Sequence, residues 1–571
     1  MPRTECNTLV HLRAMRRLRS RMLPPGLVAV VTLALLGALP APESASAAPA
    51  GARAGAASES RLASQTALSM LKRGGTAVDA VIAAALAAGV VAPSSSGLGG
   101  GGVAIVYQAA DRSVTALDFR ETAPALLDAG AFERRPLPEA ERGKLVGVPG
   151  EARGLGDLHH RFGKLPWAEL VEPAERFARD GFAVETHLGS VIGGKDQKRY
   201  RRVASLERAF WPGGTASLVG HRAKRPELAG TLHTLAAAGP EALYGGPIAA
   251  DLITAAKKLG GTLAQEDLEH YAVRERQPLR IAWEGYEIVT MPPPSAGGLF
   301  LAEVLGSFTK TELDTLGPRT PLGMHLLAET MRGALVDRAR FVGDPDVLPV
   351  DLSRVLEPAR LLARKALVSP ERTQGVGAIA GEDHGTHALV VADAAGNVVS
   401  LTTTVNTAFG AELAGEASGI VLNDELDDFT AQSASSALGL RFPPNAARPG
   451  RRPTSSMMPT LVFRDGKPVL ALGGSGGYAI PPSVTETLLG ILVRGETPDV
   501  AVKSPRFRFD SKDYALLLDG AFPAAVREDL VRRGETLRMS DSTSAVQLLS
   551  FTAAGIVGAA DPRKGGAALV Q

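Results

Sequence analysis

Cysteine is almost absent from the chain: one residue in 571, Cys6, sits in a basic N-terminal segment. If that segment is removed, the mature protein has neither a disulfide framework nor a thiol nucleophile. Charge of one sign is missing too, since 62 basic and 60 acidic residues leave a formal net charge of only +2. No long-range field recruits nucleic acid or an anionic membrane. Metal signatures are lacking: there is no HExxH and no CxxC, and "NDELDDF" does not have the glycine-centred, twelve-residue spacing of an EF-hand loop. Neither metal nor cofactor is expected. The glycine runs do not alter this. "GLGGGG" at 97–102 leads into a strand, where a dinucleotide fold needs a helix N-terminus, and "GGSGG" at 473–477 is not followed by GK[ST]. The backbone amides of that second run can still hold a developing oxyanion.

What is present describes a globular protein built on small residues and tight turns: 45% hydrophobic, 21% charged, 5% aromatic, with 63 glycines. Length alone suggests roughly three or four domains, although large layered folds exceed that rule. At the N-terminus "RAMRRLRSRM", "GLVAVVTLALLGALP" and "APESASAAPA" have the order of a secretory signal: basic segment, short apolar run, small residues suited to cleavage. A signal peptide over 1–48 and a periplasmic or secreted mature protein are expected. The apolar run is shorter than the roughly 20 residues a spanning helix needs, which leaves an uncleaved anchor as the alternative. Cys6 lies upstream of that run, which argues against lipidation.

After a Gly/Ala/Ser-rich linker to about residue 58, "SRLASQTALSMLKRGGTAVDAVIAAALAAGVV" predicts two packed helices, the second buried. A glycine-rich loop, a strand, an acidic turn and a strand ending at Arg120 follow. Helical patterns then dominate to about residue 370, interrupted by one short β segment, "LRIAWEGYEIVTM". From 386 the texture becomes stranded: "HALVVA", the turn "DAAGN", "VVSLTTTV", then "SGIVLN", "TLVFRDGKPVLALGG" and late strands near 515 and 546. No fixed-period repeat occurs. A helix-rich part over 49–385 and a strand-rich part over 386–571 fit a sandwich of sheets covered by helices.

Thr386 stands where these textures meet, directly after His384-Gly385. A threonine opening a strand is ordinarily just a β-former. It becomes a candidate nucleophile if the bond before it is cut, because its own α-amine can then act as base. Gly385 suits that cut, since it tolerates unusual backbone angles and leaves its carbonyl open to attack.

Together "SGLGGGG", "LDFRETAP", "VGVPGEARGL", "MPPPSAGG", "HGT", "TTTVN", "DELDDF", "RRPTSSMMPTLV" and "GGSGG", in that order, make the chain resemble a γ-glutamyltranspeptidase, a family of the N-terminal-nucleophile (Ntn) hydrolase class. The resemblance spans nearly the whole mature chain, from "GGTAVDAVIAAALA" to "DPRKGGAAL". It implies an α+β fold, a four-layer αββα sandwich built jointly by two chains processed from one precursor. It carries the nucleophile to Thr386, with Gly396, Thr404 and Asn406 following at offsets of 10, 18 and 20. The family usually has histidine two places after the nucleophile; here Ala388 holds that place and His387 is adjacent to Thr386.

By the same resemblance Arg120 would clamp a substrate α-carboxylate, helped by Ser455 and Ser456. Asp428 would receive an α-ammonium, helped by Glu425 and Asn406. Gly476 and Gly477 would form the oxyanion hole, Thr404 would orient the nucleophile's hydroxyl, and processing would fall between Gly385 and Thr386. Without the motifs, Arg120 reads as a structural ion pair, Asp428 as a solvated acidic turn and the serine pair as a helix cap. The implied activity is transfer of a γ-glutamyl group from a donor such as glutathione, through an ester on Thr386, to water or an amino acid or peptide. One alternative is a related acylase acting on glutaryl side chains of β-lactam precursors, against which Asp428 argues. Another is an unprocessed, secreted binding protein.

Overall fold

The structure is a computed structural model, described over residues 51–374, 385–433, 439–510, 513–540 and 544–571. The expected signal peptide over 1–48 and His384 lie outside the described residues.

Two antiparallel sheets form the centre. The strands of these sheets are β1 (Gly55–Ser58), β2 (Gly101–Gln108), β3 (Ser113–Phe119), β4 (Arg274–Arg276), β5 (Leu279–Trp283), β6 (Tyr286–Thr290), β7 (Gly385–Ala392), β8 (Val398–Asn406), β9 (Thr460–Arg464), β10 (Lys467–Ser475), β11 (Ala545–Thr552), β12 (Gly555–Ala560) and β13 (Ala567–Val570). The first sheet has the order β13-β1-β7-β8-β2-β3-β4 and the second β12-β11-β10-β9-β6-β5. The period of two along each strand then divides the core. Val103, Ile105 and Tyr107 of β2 and Val390 and Ala392 of β7 meet Leu461, Phe463, Ala471 and Leu549 between the sheets. Ala104, Val106, Leu389 and Val391 turn the other way, onto helices.

Those helices include α1 (Arg61–Lys72), α2 (Ala77–Val91), α3 (Glu151–Phe162), α4 (Trp167–Asp180) and α5 (Pro226–Ala238) over the first sheet. Over the second lie α6 (Gly297–Ser307), α7 (Pro321–Phe341) and α8 (Ile480–Leu492). The result is the expected α+β sandwich of four layers, αββα. Every residue of α2 is buried, which its run of alanines permits, because small side chains let the helix approach sheet and neighbours closely. Its start is fixed by a capping box between Thr76 and Asp79. No described helix is long and apolar enough to cross a membrane.

Four sequence readings are corrected. The linker does not extend to residue 58: Gly55–Ser58 is β1, paired to β13 on one side and β7 on the other. "SGIVLN" makes only isolated bridges, Ala414 with Val421 and Gly99 with Leu422, because a close-fitting loop rather than a strand partner runs beside it. "LRIAWEGYEIVTM" is a full hairpin, β5 to β6, turning through Glu284 and Gly285, both at positive φ. The domain count suggested by length fails, since the described chain packs as one compact unit.

The β7–β8 hairpin is tied to α2 through one buried side chain. Asp393 accepts from Ala77 N (2.9 Å), Ala395 N (3.0 Å), Asn397 N (3.0 Å) and Asn397 Nδ2 (2.9 Å). Asp393→Ala is expected to lower stability by roughly 2–4 kcal/mol, as charge-assisted bonds to buried donors are lost. Urea unfolding of the two proteins side by side checks this; coincident midpoints would refute it.

Candidate active site

Thr386 is the second residue of β7 and is almost wholly buried, at 3% exposure. Opposite it the ladder slips: Thr403 pairs with His387 and Asn406 with Gly385, so Thr404 and Val405 together face the single residue Thr386. Such a bulge re-aims the side chains at a strand end. Here it turns the Thr404 hydroxyl onto the carbonyl oxygen of Gly385 at 2.7 Å, while the same hydroxyl accepts from Asn406 N at 2.8 Å. Thr404 therefore polarises the carbonyl of the Gly385–Thr386 bond in the intact chain. Asn406 ends the bulge in a left-handed conformation, φ 75°, and its Nδ2 donates to Asp424 O at 3.0 Å. The glycine run 99–102 passes alongside. A Cβ on Gly100 would lie 1.9 Å from Thr404 O, so this segment is glycine for close backbone approach.

The second cluster gathers around Arg120, at the end of β3. Its guanidinium is buried and bonds in four directions: Nε to Pro453 O (2.6 Å), Nη2 to Thr454 O (3.0 Å) and Asp428, and Nη1 to Glu425. Residues more than 300 positions apart thus converge on one cation. Burial opposes its charge, but Glu425, Asp428 and Glu121 outweigh that and raise its pKa, so it stays ionised. Ser455 and Ser456 directly follow the carbonyls that Arg120 holds, and both are buried. The Ser455 hydroxyl accepts from Met457 N at 3.1 Å. A guanidinium and carboxylates side by side suit a ligand bearing both an α-carboxylate and an α-ammonium.

The third cluster is the end of β10. Gly476 and Gly477 both have positive φ, 114° and 57°, and a Cβ on Gly476 would meet Ser544 Cα at 2.9 Å. Both positive φ values and the close approach of Ser544 restrict these two positions to glycine at the start of a short 3-10 turn. The preceding Ser475 is joined to Thr386 by Lys564, whose ammonium donates to the Ser475 hydroxyl at 2.7 Å and to Thr386 O at 3.2 Å. The structure thus gathers the expected residues into three groups: Gly385, Thr386, Thr404 and Asn406; Arg120, Glu425, Asp428, Ser455 and Ser456; and Gly476 and Gly477. Sequence reading missed Lys564, Ser475, Glu59 and Glu121, although Lys564 stands inside the quoted "DPRKGGAAL" and Glu121 inside "LDFRETAP".

Burial shifts several ionisable groups around these clusters toward their neutral forms. Burial pushes the Glu151 carboxyl up to about 8, although it accepts from the Thr403 hydroxyl at 2.7 Å. Burial, reinforced by Glu425, raises Glu121 well above the usual carboxylate range. His387 is depressed to about 4, by burial first and by the Lys564 charge, and points to the helical side of the sheet. Ala388 takes the inter-sheet side, against Gly473.

The fold and a threonine at the start of a central strand define an Ntn hydrolase. The chain belongs to the gamma-glutamyltranspeptidase family, whose model matches residues 63–571. It is 34% identical to glutathione hydrolase 2 of Arabidopsis thaliana over 524 residues, covering 87% of this chain and 90% of that one. It is 35% identical to a glutathione hydrolase proenzyme of Pseudomonas aeruginosa, covering 89% and 92%. The crystal structure of cephalosporin acylase from Bacillus halodurans superposes with a TM-score of 0.81 at 25% identity, covering 93% and 98%.

Glu151 supplies a test of the buried-charge reading. Its folded pKa, about 8, lies above the ordinary value of 4.5. The folded protein therefore binds a proton that the unfolded chain releases, and the stability this gives is present below about 4.5 and lost as pH rises through about 8. Glu151→Gln cannot titrate. Across that window its unfolding midpoint should gain steadily on wild type as pH increases; midpoints that run parallel would refute the shift.

Proposed function

We propose that this protein is a self-processing γ-glutamyltransferase and glutathione hydrolase. In the precursor the Thr386 hydroxyl attacks the Gly385 carbonyl carbon, the chain shifts from nitrogen to oxygen, and water cleaves the resulting ester. Gly385 leaves as a carboxylate, and Thr386 becomes an N-terminus with a free amine. The observation that carries this reading is the Thr404 hydroxyl on the Gly385 carbonyl oxygen, 2.7 Å away, opposite a bulge that isolates Thr386. A large part over 49–385 and a small part over 386–571 then remain associated, exported by the signal to the periplasm or beyond.

In turnover the Thr386 amine takes the hydroxyl proton as Oγ1 attacks the donor's γ-carbonyl carbon. Negative charge on that carbonyl oxygen is met by the amides of Gly476 and Gly477. The proton passes to the leaving amine, the C–N bond breaks, and a γ-glutamyl ester remains on Thr386. Water or the amine of an amino acid or peptide attacks this ester and restores the hydroxyl. Arg120, with Ser455 and Ser456, holds the α-carboxylate. Asp428, with Glu425 and Asn406, holds the α-ammonium. Glutathione is the expected donor; no cofactor, metal or nucleic acid takes part.

The likeness to a cephalosporin acylase supports a second reading, hydrolysis of a glutaryl amide, which has no α-ammonium for Asp428. Wild type and Thr386→Ala, expressed without the signal, separate these readings. Denaturing gels and intact mass should give two wild-type fragments, the smaller beginning at Thr386, and one uncut mutant chain; a folded, uncut wild type would refute the mechanism and leave the binding-protein reading. Wild type should cleave a γ-glutamyl anilide in preference to a glutaryl anilide. Asp428→Asn should raise KM for the former by roughly tenfold or more and leave the latter unaffected.

A further inference from the structure

Lys564 is the fixed point between two halves of the site that come from different sheets. It lies in the turn before β13, with only 2% of its surface exposed. Its ammonium donates to the Thr386 carbonyl at 3.2 Å and to the Ser475 hydroxyl at 2.7 Å, and it forms an ion pair with the Glu59 carboxylate at 3.1 Å. Thr386 belongs to the first sheet, and Ser475 to the second, one residue before Gly476. Glu59 follows β1, and its other oxygen accepts from Ala388 N at 3.0 Å, which ties the counter-ion to the same strand as Thr386. His387 and His187 stand nearby, both neutral at ordinary pH, their pKa values lowered to about 4 and about 3 by burial first and by Lys564 in addition.

A buried cation is costly unless every partner is in place, and all three of these partners are backbone or side-chain atoms of the site's own frame. A lysine suits the geometry because its ammonium is a compact charge that can reach all three at once, where an arginine presents a flat fork. Chemistry at Thr386 needs its oxygen and the oxyanion amides at a fixed separation, and small misplacements there cost about 100-fold in rate.

We propose that Lys564 is a positioning residue that sets the separation between Thr386 and the oxyanion glycines Gly476 and Gly477, by holding the carbonyl of the one and the serine that leads into the others. This rests on Thr386 being the nucleophile. Lys564 does not touch Arg120, Glu425 or Asp428, so ligand affinity lies outside its influence.

The test compares wild type, Lys564→Met, Ser475→Ala and the double variant by intact mass, thermal melting and steady-state turnover of a γ-glutamyl anilide. Lys564→Met should mature and fold, with kcat lower by roughly 10- to 100-fold and KM within about twofold of wild type. Ser475→Ala should lose less, and the double variant no more than Lys564→Met alone, because the two residues act through one contact. A kcat within about twofold of wild type, a parallel rise in KM, additive losses, or a folded Lys564→Met chain that stays uncut would each overturn the assignment. If Lys564→Met does not fold, Ser475→Ala decides: reduced kcat at unchanged KM sustains the proposal and unchanged kcat overturns it. An uncut or inactive wild type would remove the parent reading and this one with it, whereas a cut, active wild type beside an indifferent Lys564→Met removes this one alone.

Discussion

The site depends on β7 being an interior strand. From Gly385 to Ala392 it is hydrogen-bonded to β8 on one side and, from Leu389 onward, to β1 on the other. From Leu389 onward β7 cannot shift without breaking two ladders; at Thr386, where β1 no longer pairs and β8 bulges, side-chain bonds hold the backbone. The carbonyl before the threonine is fixed by Thr404 and the carbonyl after it by Lys564. Both peptide planes flanking residue 386 are therefore set, and the freedom left is the side-chain torsion that turns a hydroxyl toward a carbonyl carbon. Gly385 shares the constraint: a Cβ there would lie 2.6 Å from Ser94 O, so the position next to the bond accepts no larger residue without moving the serine loop behind it.

Charge around this frame is sorted by partner. Arg120 is ionised and buried because Glu425 and Asp428 face it, and the buried Lys564 is paired with Glu59. Glu121, Glu151 and His387 are buried without an adequate counter-charge, and burial drives each toward its neutral form. Among these groups, paired charge lies at two places. One is the cluster of mixed sign around Arg120, and the other joins β7 to the end of β10. In a medium of low effective dielectric such placement matters, because a stray charge would act strongly on any charge developing at Thr386.

What the sequence discloses follows from how local each signal is. The hairpin around "DAAGN" was legible because turn residues and alternation lie within a few positions of one another, and the buried helix "AVDAVIAAALAAGVV" because its lack of polar residues can mean little else. β1 was not legible. "GAAS" has no alternation and no β-branched residue, and it is a strand only because β7 and β13 bond to it from both sides. The convergence of Arg120 with Glu425 and Asp428 joins residues more than 300 apart, so no spacing could reveal it; only resemblance to a family pointed there. Lys564 escaped for the same reason. A lone lysine near a chain end reads as solvated surface, and its burial is decided by Glu59, Thr386 and Ser475 together.

The histidine next to Thr386 illustrates the limit of position without periodicity. Along a strand, residues one apart face opposite ways and residues two apart share a face. The family's usual histidine, two places after the nucleophile, would share the inter-sheet face with Thr386; in this chain that face carries Ala388, close to Gly473. His387 is nearer in sequence and yet on the helical side, held neutral by burial. It cannot stand in for the missing ring, since a shift of one residue would turn the whole strand over and expose its apolar set to the wrong layer. An imidazole base for Thr386 is therefore unavailable from this strand, and the amine released at Thr386 itself is the base that the proposed chemistry draws on. That residue is held from opposite ends, by the Thr404 hydroxyl on the carbonyl before it and the Lys564 ammonium on the carbonyl after it.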